Sequence, residues 1–158
     1  MGSQKTTMGK IKIMKVTGKF MYFDQKNKND RIYTKECGSA IMQQFNKLAH
    51  EGQTMLGEFG YPEDRVQISL GNVSHRVDSL ELDLPNNCLK GTIEILETPK
   101  GNQILKMLKE NDCKFEDLFV VRPRGTGIVI ETGEVKNYTL YSFDVIFKQE
   151  DVFTPDNK

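Results

Sequence analysis

Ser74 and His75 are adjacent in the chain and combine a hydroxyl nucleophile with an imidazole that can accept its proton. The apolar residues Val73, Val77 and Leu80 around them indicate a strand. Successive side chains of a strand point to opposite faces, so we expect Ser74 and His75 not to form a nucleophile–base pair. We interpret His75 as a histidine that makes structural hydrogen bonds.

A second candidate site is acidic. Glu58, Glu63 and Asp64 lie within seven residues and could bind a hard cation through their carboxylates. Pro62 interrupts their spacing and the stretch matches no EF-hand loop, so a solvated turn is the favoured interpretation. With His50 as the only other histidine, placed at a predicted helix end, we expect neither a metal site nor a cofactor.

The stretch 122–127 (RPRGTG) is the most unusual in composition, with two arginines and two glycines between apolar segments. Backbone amides and guanidinium groups in such a loop could form an anion-binding nest. The stretch lacks the lysine and the following helix of a P-loop. The alternative is a glycine-rich turn between two strands.

Two helices are expected to support these sites, near 35–50 and 99–110. Thr34 can cap the first helix, which Gly52 ends, and Thr98 followed by Pro99 is typical of a helix start. Their buried faces are predicted from helical spacing to be Ile41, Phe45 and Leu48 in the first, and Ile104, Leu105 and Leu108 in the second.

Alternating apolar residues predict the strands. The candidates are 10–23, 54–59, a hairpin over 77–96, 119–121, 128–130 and 138–147, and the alternation of Val66, Ile68 and Leu70 leads into the hairpin. Short links between strands favour antiparallel pairing. We therefore expect an α+β domain over 10–148, with a mainly antiparallel, barrel-like sheet and two flanking helices, between tails at 1–9 and 149–158.

Composition excludes several classes of protein. The 158 residues suit one domain, and 22 basic residues balance 22 acidic ones, so no general basic field would hold nucleic acid. No apolar run approaches the about 18 residues that span a bilayer. Residues 1–10 are polar and lack the apolar stretch of a secretory signal, so we expect none. The three widely spaced cysteines suggest no disulfide framework and a reducing compartment.

Six segments, in the same order along the chain, resemble motifs of the prohead (head maturation) proteases of tailed phages. They are 27–36, 56–63, 72–77, 98–102, 120–127 and 143–145, within a similarity that spans about residues 16–147. The resemblance implies the β-barrel with flanking helices that this family shares with herpesvirus assembly proteases. It also implies a serine nucleophile near 122–123 and a histidine base near 61.

This sequence departs from the family at both catalytic positions. Tyr61 stands at the histidine position, and its reference pKa of about 10 makes it a poor proton acceptor at neutral pH. Arg122 and Pro123 stand at the serine pair, and neither can attack a carbonyl. The family frame persists at Glu58, Pro62, His75, Arg124, Gly125 and Gly127. The resemblance thus implies a vestigial cleft without catalytic residues, formed by Glu58, Tyr61, His75, Arg122, Pro123, Arg124 and Gly125.

The resulting hypothesis is a non-enzymatic phage structural protein, a pseudo-protease that serves as a capsid auxiliary, decoration or assembly protein. Its expected partners are capsid or other virion proteins in a multi-copy assembly, formed in the host cytoplasm, without direct nucleic-acid or membrane contact. One alternative is an active maturation serine protease with a shifted catalytic set, for which Thr126 and His75 are the candidate pair. Another is a regulator that binds the true protease or its substrates through the vestigial cleft.

Overall fold

The chain is represented by a computed structural model that describes residues 14–60 and 68–155. Its strands are β1 (Met14–Tyr22), β2 (Ile32–Tyr33), β3 (Met55–Glu58), β4 (Val73–Asp83), β5 (Cys88–Ile95), β6 (Phe119–Val129) and β7 (Glu134–Phe147). Its helices are α1 (Lys35–His50), α2 (Pro99–Asn111) and the single turn α3 (Phe115–Leu118). Short 3₁₀ turns cover Leu70–Asn72, Leu84–Asn86 and Lys148–Glu150.

These strands form two sheets. The first has the order β1-β5-β4-β3 and is antiparallel throughout, with the predicted hairpin as β4 and β5. The second has the order β2-β7-β6, with β6 antiparallel and the two-residue β2 parallel to β7. The expected α+β class with mainly antiparallel pairing is therefore confirmed. Among the described strands, the expected barrel-like sheet is not observed as a closed barrel. These strands form two adjoining sheets instead.

The first sheet meets the second where β3 ends. Phe59 forms a parallel bridge with Val145, and the Gly60 amide donates to the Val145 carbonyl at 2.8 Å. The outer side of β3 therefore runs beside the C-terminal part of β7. This junction positions the residues of the candidate site.

Both predicted helices are present and begin at the predicted caps. The Thr34 hydroxyl accepts from the Cys37 amide, and the Thr98 hydroxyl accepts from the Gly101 amide at 3.0 Å. Ile41 and Ile104 are fully buried, and the other predicted face residues pack on the same core. Full burial of a side chain such as that of Ile41 or Ile104 is worth about 1.5–3 kcal/mol.

Residues 122–127 form neither a turn nor an anion nest, so both interpretations are wrong. The two strands expected at 119–121 and 128–130 are one continuous strand, β6, that includes Pro123 and Gly125. Proline is tolerated because β6 lies at the edge of its sheet, where a missing backbone donor costs least. The register with β7 shifts twice, between Arg124 and Gly125 and between Thr126 and Ile128.

Two other segments differ from the sequence pattern. Leu70 lies in a 3₁₀ turn, so the strand begins only at Val73, and Val66 lies outside the described residues. Beyond residue 148, Asp151 and Thr154 contact Arg122, and Pro155 bridges to Asn27. The first residues of the expected C-terminal tail thus pack on the domain, while the domain boundaries themselves stay a prediction.

In the part of the chain that the structure covers, none of the helices is both long enough and apolar enough to cross a membrane.

Candidate functional site

A β-bulge brings Ser74 and His75 together, contrary to the expectation that they face apart. Gly57 pairs with His75, but the next residue, Glu58, pairs with Val73, so Ser74 is an extra residue in β4. A bulge turns two consecutive side chains toward the same side of the sheet. As a result, the Ser74 hydroxyl lies 2.7 Å from Nδ1 of His75.

His75 is completely buried and both of its ring nitrogens are hydrogen-bonded. Nε2 lies 2.7 Å from the carbonyl oxygen of Phe143. A carbonyl can only accept, so Nε2 carries the proton and Nδ1 accepts from Ser74. Burial lowers the pKa of His75 to about 4, although the bond to Phe143 opposes this shift. The imidazole is therefore neutral at pH 7, as a structural histidine requires.

Glycine is required at position 57, directly below the His75 ring. A Cβ atom there would lie 2.1 Å from His75 Nε2 and 2.2 Å from the Phe143 oxygen. The same β7 segment is tied to β3 by Ser142, whose hydroxyl donates to the Leu56 carbonyl at 2.6 Å. Polar side chains therefore link β3 and β4 to β7.

Glu58 is buried in an ion cluster and does not lie in a solvated turn, so that expectation is wrong. Its Oε2 is 3.2 Å from a terminal nitrogen of Arg124, whose Nε is 2.7 Å from Asp144 Oδ2. Oε2 of Glu58 also accepts from the Ser69 amide at 2.8 Å. The sequence could not show this burial because the pairing partners are 66 and 86 positions away. Glu63 and Asp64 lie outside the described residues.

Asp144 joins the cluster from β7 and is fully buried. Burial raises its pKa above the ordinary value, and the charge of Glu58 adds to this, while Arg124 acts in the opposite direction. Oδ1 of Asp144 also accepts from the backbone amide of Glu58 at 3.0 Å. One guanidinium thus holds two carboxylates, and all three groups are engaged in holding the sheets together.

Arg122 forms a separate cluster with the segment after β7. It donates to both carboxylate oxygens of Asp151 at 3.0 Å, and to the carbonyl of Lys19 at 2.8 Å. It also donates to Thr154, and its guanidinium lies 5.6 Å from the centre of the Tyr22 ring. Burial of Asp151 opposes its ionisation, but the hydrogen bonds and charge of Arg122 outweigh that effect and hold its pKa below the ordinary value.

The remaining predicted residues of this stretch are structural or exposed. Pro123 pairs in register with Phe143, and a Cβ atom on Gly125 would meet Thr139 and Tyr138. Thr126 is exposed, and its hydroxyl lies 3.0 Å from that of Tyr141. Since both His75 nitrogens are occupied by other partners, no hydrogen bond joins Thr126 to His75.

The structure therefore brings three of the predicted residues together, while a cleft formed by all seven stays a prediction. Glu58, His75 and Arg124 adjoin the same stretch of β7, whereas Arg122 contacts Asp151 and β1. Tyr61 lies outside the described residues, so its position beside the others stays a prediction. Sequence reasoning missed the roles of Asp144 and Asp151. The signal for Asp144 was a carboxylate in the middle of an otherwise apolar strand segment.

The described residues offer little for metal or nucleophilic chemistry. They contain no group of three or more histidine, cysteine or acidic side chains that could hold a metal ion. Ser74 and His75 form the one hydroxyl–imidazole hydrogen bond in the described ranges, and both residues are 0% exposed. No two of the three cysteines, all of them among the described residues, form a disulfide, and Cys37 and Cys88 are buried.

Comparison with known proteins identifies the fold. No protein-family model matches the chain, and no curated protein sequence matches it either. Among solved structures, the capsid assembly protease of bacteriophage T4 is similar, with a TM-score of 0.68 and 20% sequence identity over 84% of this chain and 80% of that chain. The prohead-protease-like fold that the motifs implied is therefore confirmed.

Proposed function

We propose that this chain is a non-enzymatic protein of phage capsid assembly, built on a protease-like fold that has lost its catalytic set. The observation that carries the proposal is the environment of Arg122, the residue that stands where the family resemblance places a serine of the nucleophile pair. An acyl-transfer site needs an accessible nucleophile at that place. Arg122 is buried and anchored instead.

The contacts of Arg122 support a structural role. Its guanidinium donates hydrogen bonds to Asp151, Thr154 and the carbonyl of Lys19. These bonds connect β6 to β1 and to the segment after β7. A side chain that is 4% exposed and makes charge-assisted hydrogen bonds on several sides is a scaffold element. Pro123 beside it lacks the backbone N–H that an oxyanion hole would use.

The fold of a capsid assembly protease supports a place in the same process. In bacteriophage T4 the structural neighbour is a capsid assembly protease. A fold can be kept when its chemistry is lost, and contacts with capsid proteins are the remaining function that such a fold would serve. We therefore assign capsid or other virion proteins as partners in a multi-copy assembly, formed in the host cytoplasm and present in the virion. Zero net charge suits packing among protein neighbours rather than on DNA.

One observation favours the alternative, an active protease with a shifted catalytic set. Ser74 donates to Nδ1 of His75, and the Phe143 carbonyl fixes the tautomer, which is the hydrogen-bond order of a nucleophile, base and orienting group. Against this, both side chains are fully buried, and a substrate carbonyl would have to reach Ser74 through the sheet junction. We therefore favour the non-enzymatic function.

Two measurements test the proposal, one on phage particles and one on the purified protein. Mass spectrometry of purified proheads and virions should detect the protein as a component. Incubation of the purified protein with scaffold and capsid precursors should leave the precursors and the protein itself uncut. Absence from both kinds of particle would contradict the structural role, and specific cleavage of a precursor would establish the protease alternative.

A further inference from the structure

The tip of the β6–β7 hairpin carries an unusual run of exposed apolar side chains. Ile128, Val129 and Ile130 are 58%, 43% and 39% exposed, and they are consecutive. The other large apolar side chains exposed in the described ranges, Leu70 and Leu84, are isolated. Single exposed apolar residues are ordinary, but three β-branched residues in a row make both faces of the hairpin tip apolar, which favours a partner.

This run lies on an open sheet edge. In the described part of the chain, β6 pairs only with β7 and ends the order β2-β7-β6. The first half of β6 is covered by β1, through the bond of Arg122 to the Lys19 carbonyl. From Thr126 to Val129 the residues are exposed, and an edge of this kind can pair with another strand.

The strand β1, which ends the first sheet, shows how this molecule protects an edge. β1 carries Lys15 and Lys19, and its register with β5 shifts between Lys19 and Met21. Lysines and bulges on an edge oppose pairing with a second chain. Residues 125–130 (GTGIVI) contain no charged side chain at all. The hairpin edge therefore lacks charged side chains such as the lysines of β1, which oppose pairing with a second chain.

We propose that residues 128–130 of this edge pair with the same residues of a second copy of this chain, as a short antiparallel strand pair about a two-fold axis at Val129. In this register Val129 faces itself, and Ile128 of each copy faces Ile130 of the other. All three apolar residues then form cross-strand pairs, which stabilise a sheet. A two-fold contact of one patch with itself closes a dimer and does not propagate into a filament.

The charges fit a second copy. The paired residues 128–130 carry no charge and Glu131 lies in the turn beyond them, so the register sets no acidic side chain opposite another. The net charge of zero adds no general repulsion between copies. This inference rests on the edge and its side chains alone, and does not depend on the proposed function.

Sedimentation of the full chain over a concentration series tests the proposal. We expect a reversible dimer for the wild-type chain. Val129→Lys should give a folded monomer, because it places two like charges directly opposite each other on the axis. Leu84→Lys, at an exposed leucine of the β4–β5 hairpin, is the matched control and should remain dimeric. A wild-type chain that stays monomeric, or a dimer that persists in Val129→Lys, would overturn the proposal.

A cross-link gives a second test that does not require Val129→Lys to fold. Opposite residues of antiparallel strands lie about 4.5–5.5 Å apart between Cα atoms, within the span of a disulfide. In a Cys113→Ser background, Val129→Cys should therefore form a disulfide-linked dimer on oxidation, and Leu84→Cys should not. Equal cross-linking of the two variants, or a monomer whose hairpin edge takes up a capsid-derived peptide instead, would contradict pairing with a second copy.

Discussion

The hydroxyl of Ser74 lies 2.7 Å from Nδ1 of His75, although the two residues are neighbours in one strand. The contact exists because β4 has an extra residue at Ser74 where β3 pairs with it. The far side of the imidazole donates to Phe143 in the other sheet. A neutral, buried histidine therefore links the two sheets, and its protonation state affects their stability.

The free energy of unfolding should fall as the pH drops from 6.5 toward 4. In that range His75 binds a proton in the unfolded chain but not in the folded one. The folded pKa of about 4 lies below the ordinary value of 6.5, so folding disfavours the protonated ring. The contribution of the neutral His75 ring to the free energy of unfolding is present in full above pH 6.5 and is lost as the pH falls toward 4. One pKa unit corresponds to about 1.4 kcal/mol, so the loss is on the order of 3 kcal/mol. Urea unfolding at pH 4.5 and pH 7 measures it.

A His75→Gln variant is the control for this pH dependence. Glutamine can still donate to Phe143 but cannot titrate, so the variant should be less stable at pH 7 and show a flatter profile between pH 4.5 and 6.5. An unchanged slope in the variant would show that other groups dominate this range.

Arg124 should be much more important for stability than an exposed arginine. Replacement by alanine leaves Glu58 and Asp144 buried without their shared cation, which typically costs about 3–5 kcal/mol. Arg76 also pairs with two acids, but its side chain is 44% exposed. Arg76→Ala should therefore cost much less stability than Arg124→Ala. Thermal unfolding of the two variants compares them, and equal losses would be inconsistent with a buried ion cluster.

Asp151 should stabilise the fold although it lies beyond the last strand. Asp151→Ala leaves the Arg122 guanidinium without its bidentate partner, at a cost of about 3 kcal/mol. The neighbouring Glu150→Ala is the control, because Glu150 is exposed and should change stability by less than about 0.5 kcal/mol. If chemical denaturation gave the same stability for both variants, the segment would not anchor β6.

Gly57 should tolerate no side chain. Gly57→Ala introduces a Cβ atom 2.1 Å from His75 Nε2, so the ring or a strand must shift, which typically costs about 1–3 kcal/mol. Gly18→Ala in β1 meets nothing within 4 Å and should not be destabilising. Denaturation midpoints of the pair test the contact. A tolerated alanine at position 57 would mean that the sheet junction is looser than described.

Local sequence signals predicted the helices and the β4–β5 hairpin, because their caps and turns lie within a few residues of the elements. Thr34 and Thr98 are examples, since each caps the helix that directly follows it. Local sequence wrongly predicted a turn at Pro123 and Gly125. Their residue types favour turns, but their place on an edge strand allows extended backbone. Local sequence also wrongly predicted that Ser74 and His75 point to opposite faces. The bulge at Ser74 depends on how a separate strand, β3, pairs with β4.

The candidate site was predictable in position but not in its partners. Ordered motifs singled out Glu58, His75 and Arg124, which lie along one junction. The carboxylates that complete the clusters, Asp144 and Asp151, come from elsewhere in the sequence and are selected only when the sheets assemble.

The central claim is that the chain has no working nucleophile, and labelling with a fluorophosphonate probe tests it most directly. The purified protein, at neutral pH and beside a serine hydrolase of known activity, should remain unlabelled, because Arg122 and Pro123 offer no hydroxyl and Ser74 is buried. Labelling of the unmodified chain that disappears in Ser74→Ala or in Thr126→Ala would contradict the account and would identify the nucleophile of an active protease.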